Sequence, residues 1–353
     1  MGDDKERLME VLRESVNRKK ELFDDERAWH AITAKTTLKI SERKVSARIL
    51  PAFRFVAAVS FLIVGLGLFL FLDSEEHTSV ELSVWGLKHE PGATNIVFDD
   101  GEKVFVSELF KKRKPFPFRY DSAKELLAFD SRLSEKWFGL VKISVERGKL
   151  QRVLLPDSSL LTVNSESVLA FSFPFVNDRR EVFFSGEGLF DVSKDKSIPF
   201  VLNSNLNTVR VLGTRFNFRD YPLDSLAVTS LVEGSVKVEK KGLEDNGRVL
   251  SPGNQSVYFP TKGGGEFEIQ DFEESSVLAW ADNKLALNGK PFREVLSDVE
   301  RFYDLRFHFR NPQHLEAEII GVFDRAEKVE FLETLRIMKG WKVRYEGKRV
   351  LIE

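Results

Sequence analysis

FVAAVSFLIVGLGLFLFL, residues 55–72, runs for eighteen positions without a charged side chain. A helix of that length rises about 1.5 Å per residue and spans about 27 Å, close to the hydrocarbon core of a bilayer. A segment inside lipid must pair every backbone N–H and C=O internally, so a helix is the predicted structure. The stretch predicts one transmembrane helix, which we place at residues 53–72.

The charges on the two sides of this stretch differ. Basic residues precede it and acidic residues follow it: Lys39, Arg43, Lys44, Arg48 and Arg54, then Asp73, Glu75 and Glu76. Basic residues are retained on the cytoplasmic side, so we expect the residues before Arg54 to be inside and those after Leu72 to be outside. A cleaved signal peptide would lie at the extreme N-terminus. A buried core helix would carry a polar stripe, and this run has none wider than Ser60.

Composition narrows the function classes. The chain has 353 residues, which suggests two or three domains, and it contains no cysteine. The absence of cysteine excludes disulfides, thiolate metal sites and a cysteine nucleophile. No dominant basic patch accompanies the net charge of -2, so no direct contact with nucleic acid is expected. Many of the 31 phenylalanines follow the apolar stretch beside β-branched residues, which favours a β-rich exterior.

Residues 1–52 form a short, highly charged segment in which two stretches have helical spacing. The segment is too small to bury a core of its own. One interpretation is a solvated tail, and the other is a pair of amphipathic helices that order on a partner. The apolar residues that would make such a contact are Leu8, Val11, Leu12, Trp29 and Ile32.

Period-two alternation and turn residues dominate the chain after the apolar stretch and predict an all-β module, solenoid-like or sandwich-like. Asp99-Asp100-Gly101 between two alternating runs is a strong hairpin signal. Residues 96–106 align without gaps on 153–163, so the two hairpins look like copies of one unit. Two further strands are predicted on either side of a turn at 185–188, whereas 121–137 has the spacing of a helix.

The last seventy residues alternate strand and helix patterns. They predict two strand–helix–strand units, a small α+β domain of βαβ repeats. The first helix begins after Pro291, and the second covers 328–339. A hairpin at Gly347 closes the chain, and its outer strand is expected to receive a strand from a partner. The side chains assigned to that contact are Trp341, Val343, Tyr345, Val350 and Ile352.

No catalytic constellation is evident, so the chain is predicted not to be an enzyme and to use no cofactor or metal. None of the five histidines has a metal-site spacing such as HExxH, and His308 is expected to be an exposed strand position. The Ser185-Gly186-Glu187-Gly188 sequence lacks the order of a nucleophile elbow. Asp157 and Asp178 are predicted to cap backbone N–H groups in turns.

An ordered series of segments carries a resemblance: 153–163 with its Leu-Pro-Asp-Ser-Ser turn, 178–191, 199–201, VLGTRFNFRDY at 211–221, and 231–238. The series resembles the FecR family of membrane-spanning anti-sigma regulators, in the form widespread in Bacteroidetes. Residues 288–352 resemble the C-terminal domain of these proteins, which is related to the short N-terminal domain of secretins and TonB-dependent receptors. Ser158 stands where the family usually has glycine.

The resemblance implies a signalling role for a single-pass inner-membrane protein with a cytoplasmic N-terminus and a periplasmic C-terminus. In the family, the cytoplasmic tail holds an extracytoplasmic-function sigma factor, and the periplasmic part reads the N-terminal signalling domain of a TonB-dependent transporter for an iron chelate or a glycan. Some members are cut during this relay, so periplasmic and intramembrane proteases are expected partners beside membrane lipid. The apolar residues of 1–52 would then contact the sigma factor, and the final hairpin would contact the transporter.

The predicted organisation has six parts: tail 1–52, transmembrane helix 53–72, β-rich extension 73–140 with a short helix, FecR-type all-β domain 141–260, linker 261–283, and α+β domain 284–353. Two alternatives stay open. One is a membrane-anchored periplasmic scaffold with an inert tail and no transcriptional role. The other is a glycan-binding or hydrolytic β-domain on a membrane stalk, which would need a groove lined by aromatic residues or paired carboxylates.

Overall fold

A computed structural model of the chain describes residues 93–98, 101–107, 116–130, 132, 138–176, 179–260 and 265–353. All of them belong to one compact unit, Val80–Glu353. The predicted tail with its five contact residues, and the apolar stretch 55–72, lie outside the described residues. Within the described ranges, no helix combines the length and the apolar character needed to cross a bilayer.

Two stacked antiparallel sheets, here called sheet A and sheet B, form the larger domain. In spatial order, sheet A contains β2 (Lys103–Phe105), β1 (Asn95–Phe98), β5 (Gly139–Ser144), β8 (Val168–Phe173), the first half of β9 (Arg180–Asp191), β10 (Phe200–Asn203), β11 (Asn207–Val211), β14 (Val236–Lys240) and β15 (Leu243–Leu250). Its one parallel pair is β9 with β10.

In spatial order, sheet B contains β3 (Phe118–Asp121), β4 (Leu126–Phe129), β6 (Gln151–Leu154), β7 (Leu160–Val163), the second half of β9, β12 (Arg215–Asp220), β13 (Ala227–Glu233), β16 (Asn254–Tyr258) and β17 (Phe267–Asp271). The all-β, sandwich-like prediction is confirmed for this domain.

The core lies between the sheets and is built largely from phenylalanine. Phe129 of sheet B meets Phe171 of sheet A edge-on, with ring centroids 5.0 Å apart. Phe184 and Phe218 meet in the same way across the sandwich. Edge-to-face contacts of this kind place the positive edge of one ring against the negative face of the other and bury a large apolar area. The phenylalanine-rich sequence therefore supplies the filling between two sheets.

Strand β9 belongs to both sheets, so the predicted turn at 185–188 is wrong. Its first half pairs with β8 and β10, and its second half pairs with β7 and β12. Gly186, where the strand crosses over, has φ +117°, and a Cβ there would lie 2.2 Å from the Ser167 hydroxyl oxygen. The glycine is required for this close approach of two backbones and not for a turn.

The predicted helix at 121–137 is also wrong over its described part. Residues 118–129 form the β3–β4 hairpin, and Glu125 in its turn has φ +48°, which ends any helix. The Asp121 carboxylate accepts the N–H groups of Ala123 and Lys124, so it caps a turn where a helix start was expected. Parallel pairing of β4 with β6 supplies the tertiary contact that favours a strand over a helix in this segment.

The repeated hairpins fold as predicted. Ile96 faces Val104 across β1 and β2, and Val153 faces Leu161 across β6 and β7. The ungapped alignment places Ile96 on Val153 and Val104 on Leu161, so the two hairpins have the same register. One hairpin lies in sheet A and the other in sheet B. The predicted boundary at 140/141 is not a structural break, because β1 to β4 share the core of the later strands.

The C-terminal domain places two helices against two small sheets. Strands β18 (Lys284–Pro291) and β20 (Glu318–Asp324) form an antiparallel ribbon, and β22 (Arg349–Ile352) lies between β19 (Arg306–Phe309) and β21 (Val343–Glu346). Helices α2 (Phe292–Tyr303) and α3 (Lys328–Lys339) bury the side chains Phe292, Val299, Phe302, Phe331 and Leu335. A 3₁₀ helix, Pro312–Glu316, precedes β20.

This element order confirms the predicted sequence of strands and helices, but the predicted βαβ pairing is wrong. The strands on either side of α2 lie in different sheets, since β18 pairs with β20 and β19 pairs with β22. The predicted linker 261–283 is partly structured as well. It contributes strand β17 to sheet B, followed by α1 (Glu274–Leu278) and a 3₁₀ helix, Ala279–Asp282.

Candidate functional site: the junction between the two domains

The five residues assigned to an outer contact are placed unequally. Trp341, Val350 and Ile352 are buried in the core of the C-terminal domain, and Val343 packs against that core. Only Tyr345, which is 49% exposed, presents its side chain to a partner. Strand β22 is the central strand of its sheet, so an incoming strand would meet β21, whose outer edge pairs with nothing in the described ranges.

Sequence reasoning did not find the most elaborate polar cluster, which lies where the C-terminal domain meets the β-sandwich. The turn after β5 provides the first contact, because the Gly148 N–H donates to the Arg301 carbonyl oxygen over 3.0 Å. Beside it, the Arg147 guanidinium pairs with Glu166 of its own domain at 3.2 Å and with Glu300 of the other at 3.5 Å. Backbone and side chain thus hold α2 to the sandwich.

Two arginines and two aspartates exchange partners across this junction. Arg219, on β12, pairs with Asp298 of α2, with Nη2 to Oδ1 at 2.8 Å. Arg301, on α2, lies 3.5 Å from Asp224 of the loop after β12. Each arginine also contacts the aspartate of its own domain, at 2.7 Å for Arg219 and 2.8 Å for Arg301. The four charges balance, and separation of the domains would break the pairs between them and leave each arginine with the aspartate of its own domain.

Tyr221 completes the cluster with an aromatic ring between the guanidinium groups. The ring centre is 3.9 Å from the Arg301 guanidinium carbon and 5.3 Å from that of Arg219. Its hydroxyl donates to the Ser165 carbonyl oxygen over 2.9 Å, and burial raises the pKa of that hydroxyl. A buried tyrosine with both its face and its hydroxyl engaged fixes the position of α2 over the sandwich.

The acid and base groups at the junction respond to burial and to one another. Burial alone would raise the pKa of Asp298, but the charges of Arg219 and Arg301 outweigh it and hold the pKa below the ordinary value. Burial raises the pKa of the Glu187 carboxyl, because the charge of Arg219, 3.9 Å away, only partly compensates. Glu187 is therefore the surplus carboxylate of this cluster.

Glu187 lies on β9 just after the sheet crossing and is held by two amides. Asn164 donates to it over 2.8 Å and Asn217 over 3.3 Å. The same Asn217 accepts the indole N–H of Trp280, from the 3₁₀ helix that leads into the C-terminal domain. The shared strand, the connecting segment and α2 are thus linked through one buried hydrogen-bond network.

Arg325 provides a further cationic contact at the junction. Its guanidinium stacks 4.0 Å from the centre of the Phe302 ring and donates to the Ser165 hydroxyl of the sandwich at 3.1 Å. Burial lowers the pKa of Arg325 to about 10. Chemically, the arrangement joins domains and does not assemble a nucleophile or an oxyanion site. The described residues contain no group of His, Asp and Glu side chains suited to a metal ion.

Sequence models of known families match both domains that meet at this junction. The model described as FecR protein covers residues 141–237, and the model described as FecR, C-terminal covers residues 284–352. The chain belongs to the FecR family. The resemblance inferred from the sequence is confirmed, and the junction ties a FecR domain to a FecR C-terminal domain.

Solved structures of similar chains exist. Two crystal structures of a candidate anti-sigma factor from Parabacteroides distasonis ATCC 8503, at 1.65 and 2.50 Å resolution, match with a TM-score of 0.53 and 28% sequence identity. The match covers 60% of this chain and 98% of that one. None of the curated proteins matches this chain. The family and this neighbour support a regulatory role.

One signal in the sequence did point to the junction. The segment 211–221, which carries the FecR resemblance, contains Arg219 and Tyr221. Their partners on α2 lie 79 positions further on in the case of Asp298, so no local pattern connects them. The predicted turn role of Asp157 is confirmed, since its carboxylate accepts the Ser159 N–H, whereas Asp178 lies outside the described residues.

Proposed function

We propose that this FecR-family protein is a single-pass inner-membrane anti-sigma factor that relays a periplasmic signal to an extracytoplasmic-function sigma factor. Two FecR modules follow one apolar, charge-free stretch, and a short, highly charged segment precedes it. This order of parts is the observation that carries the proposal. A membrane span at that stretch would put a sensing side and a gene-control side on opposite faces of one membrane.

The relay we propose begins at a TonB-dependent transporter, whose N-terminal signalling domain would meet the C-terminal domain. The open edge of β21, with Tyr345 exposed beside it, supports strand addition by such a partner. From there the reciprocal ion pairs at the junction couple any displacement of α2 to the sandwich. A ligand can shift such a coupled unit only if it binds one arrangement better than the other.

The first experiment tests the inner contact. Tagged full-length protein, extracted in detergent from its own cells, should recover an extracytoplasmic-function sigma factor, and a chain lacking residues 1–52 should not. Trp29→Ala should weaken recovery, because an aromatic anchor dominates small helical contacts. Glu333→Gln, an exposed change in the C-terminal domain, is the matched control and should leave recovery unchanged.

Two outcomes would reject the proposal. If deletion of residues 1–52 leaves both sigma recovery and transcription of the dependent transporter operon untouched, the chain is a scaffold. If tags at the two termini prove accessible from the same compartment, the stretch 55–72 does not divide the chain and no relay across a membrane takes place.

A further inference from the structure

Two edge strands of the described structure carry opposite charge. Strand β17 pairs only with β16 in the described ranges, and β21 pairs only with β22. Between 266 and 276 the acidic residues are Glu266, Glu268, Asp271, Glu273 and Glu274, without a basic residue among them. Around β21 the basic residues are Lys342, Arg344, Lys348 and Arg349. Open edges that differ in charge are templates for pairing with each other.

The two edges also have the same arrangement of faces. On β17, Phe267 packs toward the sandwich core while Glu268 is exposed on the opposite face. On β21, Val343 packs toward the core of the C-terminal domain while Arg344 is exposed, with 69% of its side chain in solvent although it also contacts Glu353. Both strands therefore present charge on one face and apolar groups on the other.

We propose that β17 of one copy of this chain pairs in parallel with β21 of a second copy, with Glu268 beside Arg344. This register sets four positions of β17 against the four of β21, and the residue before each strand against the other: Glu266 with Lys342, Phe267 with Val343, Glu268 with Arg344, Ile269 with Tyr345, and Gln270 with Glu346. Opposite charges meet on one face and apolar side chains meet on the other, as stable cross-strand pairs require.

Three other pairings of these edges are disfavoured by charge. Two β17 strands would bring glutamates together, and two β21 strands paired in parallel and in register would set Arg344 against Arg344. The antiparallel pairing with Glu268 beside Arg344 would set Glu266 against Glu346. Like charges directly opposite destabilise a sheet, so these three arrangements are disfavoured.

The elements next to these two strands also expose apolar side chains. Strand β15 ends sheet A at the same end of the sandwich as β17, and it exposes Leu243 and Val249. Helix α3 packs beside β21 and exposes Ile337 and Met338. Exposed apolar side chains therefore lie near both of the strands that are proposed to pair.

Each copy carries one β17 and one β21, so the contact joins copies head to tail. This inference goes beyond the relay proposed above and does not depend on it. It adds one consequence: β21 cannot pair with a neighbouring copy and with a transporter strand at the same time.

Disulfide trapping tests the contact directly, because the chain contains no cysteine. Full-length Glu268→Cys and Arg344→Cys chains with different tags are co-expressed and oxidised in the membrane. Neighbouring strands lie about 4.8 Å apart, which suits a disulfide between facing positions. We expect a linked dimer that carries both tags, and little from either variant alone.

His308→Cys replaces Arg344→Cys as the matched control. His308 is exposed in the same cross-strand row, beside Leu351, but on the far edge strand β19. It would lie about 10 Å further from Glu268, so it should not form the link. Equal linking of both positions, homodimers of Glu268→Cys alone, or a link from Arg344→Cys to another protein instead of this chain would each overturn the proposal.

A charge exchange gives a second measurement, the mass of the purified full chain in detergent. Glu266→Lys with Glu268→Lys should lower association about tenfold, because two attractive pairs become repulsive. Adding Lys342→Glu and Arg344→Glu to the same chain should restore it. If the first pair of changes leaves the mass unaltered, or the second fails to restore it, the proposed pairing is wrong.

Discussion

The Arg301 guanidinium on α2 lies 3.9 Å from the centre of the Tyr221 ring at the end of β12. This contact joins the C-terminal domain to the FecR sandwich beside the exchanged pairs of Arg219, Asp224 and Asp298. Aromatic stacking of an arginine is less sensitive to salt than an exposed ion pair. The junction is therefore expected to hold at ionic strengths that weaken surface pairs.

Asp298→Asn is expected to loosen the junction. The change leaves Arg219 and Arg301 with one carboxylate fewer, which should lower the free energy of unfolding by about 2 kcal/mol. The figure is smaller than for a fully buried pair because 32% of the Asp298 side chain is exposed. Thermal or denaturant unfolding of the full chain measures it. Glu333→Gln, which removes an exposed pair with Arg336, should shift unfolding little.

Glu187→Gln is expected to stabilise the protein, and increasingly so as the pH rises. The pKa of Glu187 is raised by burial in the folded state, so the folded chain binds more protons than the unfolded chain above pH 4.5. Stability falls as the pH rises from there through the folded-state pKa, and the amide removes that loss. Unfolding measured from pH 4 to pH 8 should show the two proteins diverging.

Glu239→Gln supplies the opposite sign for comparison. Burial would raise the pKa of Glu239, but hydrogen bonds from Lys237 and Arg210 outweigh it and lower the pKa. Its carboxylate therefore stabilises the fold above pH 4.5, and this contribution is lost as the pH falls through the folded-state pKa. The variant should be less stable than the natural protein at pH 7 and should approach it in acid. Parallel behaviour of both glutamine variants would contradict the assignment.

Ser158→Gly is expected to stabilise the sandwich. Ser158 has φ +69° in the Leu-Pro-Asp-Ser-Ser turn, a left-handed conformation that costs an ordinary residue about 1 kcal/mol. Glycine adopts it freely, so the free energy of unfolding should rise by about that amount in urea or on heating. Ser122→Gly changes an exposed turn residue without a positive φ and should not stabilise.

Gly186→Ala is expected to disrupt the sheet crossing. The new Cβ would overlap with backbone and side-chain atoms of Ser167, and the φ of +117° disfavours alanine. Together these effects should cost about 3 kcal/mol or more, measured as a fall in Tm. Gly101→Ala also meets a positive φ, +78°, but no atom lies within 4 Å of its Cβ, so it should cost only about 1 kcal/mol. Equal losses would mean that strain and not close approach limits position 186.

Local patterns predicted local structure well. The Asp99-Asp100-Gly101 hairpin and the helix at 328–339 are confirmed, because turn residues and 3.6-residue spacing determine them within a short segment. Residues 121–137 were wrongly predicted as a helix because the spacing of Leu126, Leu133 and Trp137 places them near one helical face. Pairing with β6, twenty-six positions away for Leu126, favours a strand instead.

The contacts at the junction could not be predicted from local sequence patterns for a related reason. Charged residues such as Arg219 and Asp298 have no special spacing in the sequence, and only the docking of α2 brings them together. Likewise, the glycines of 185–188 signalled a turn, whereas they permit a strand to cross beneath Ser167. Sequence patterns indicated which segments are regular. They did not indicate which distant segments meet.

Strand β9 has a mechanical consequence. Because one strand is hydrogen-bonded into both sheets, one sheet cannot slide over the other. The sandwich should therefore move as a rigid body. In deuterium-exchange measurements, the amide protons on both halves of β9 should be the last to exchange, and they should do so together.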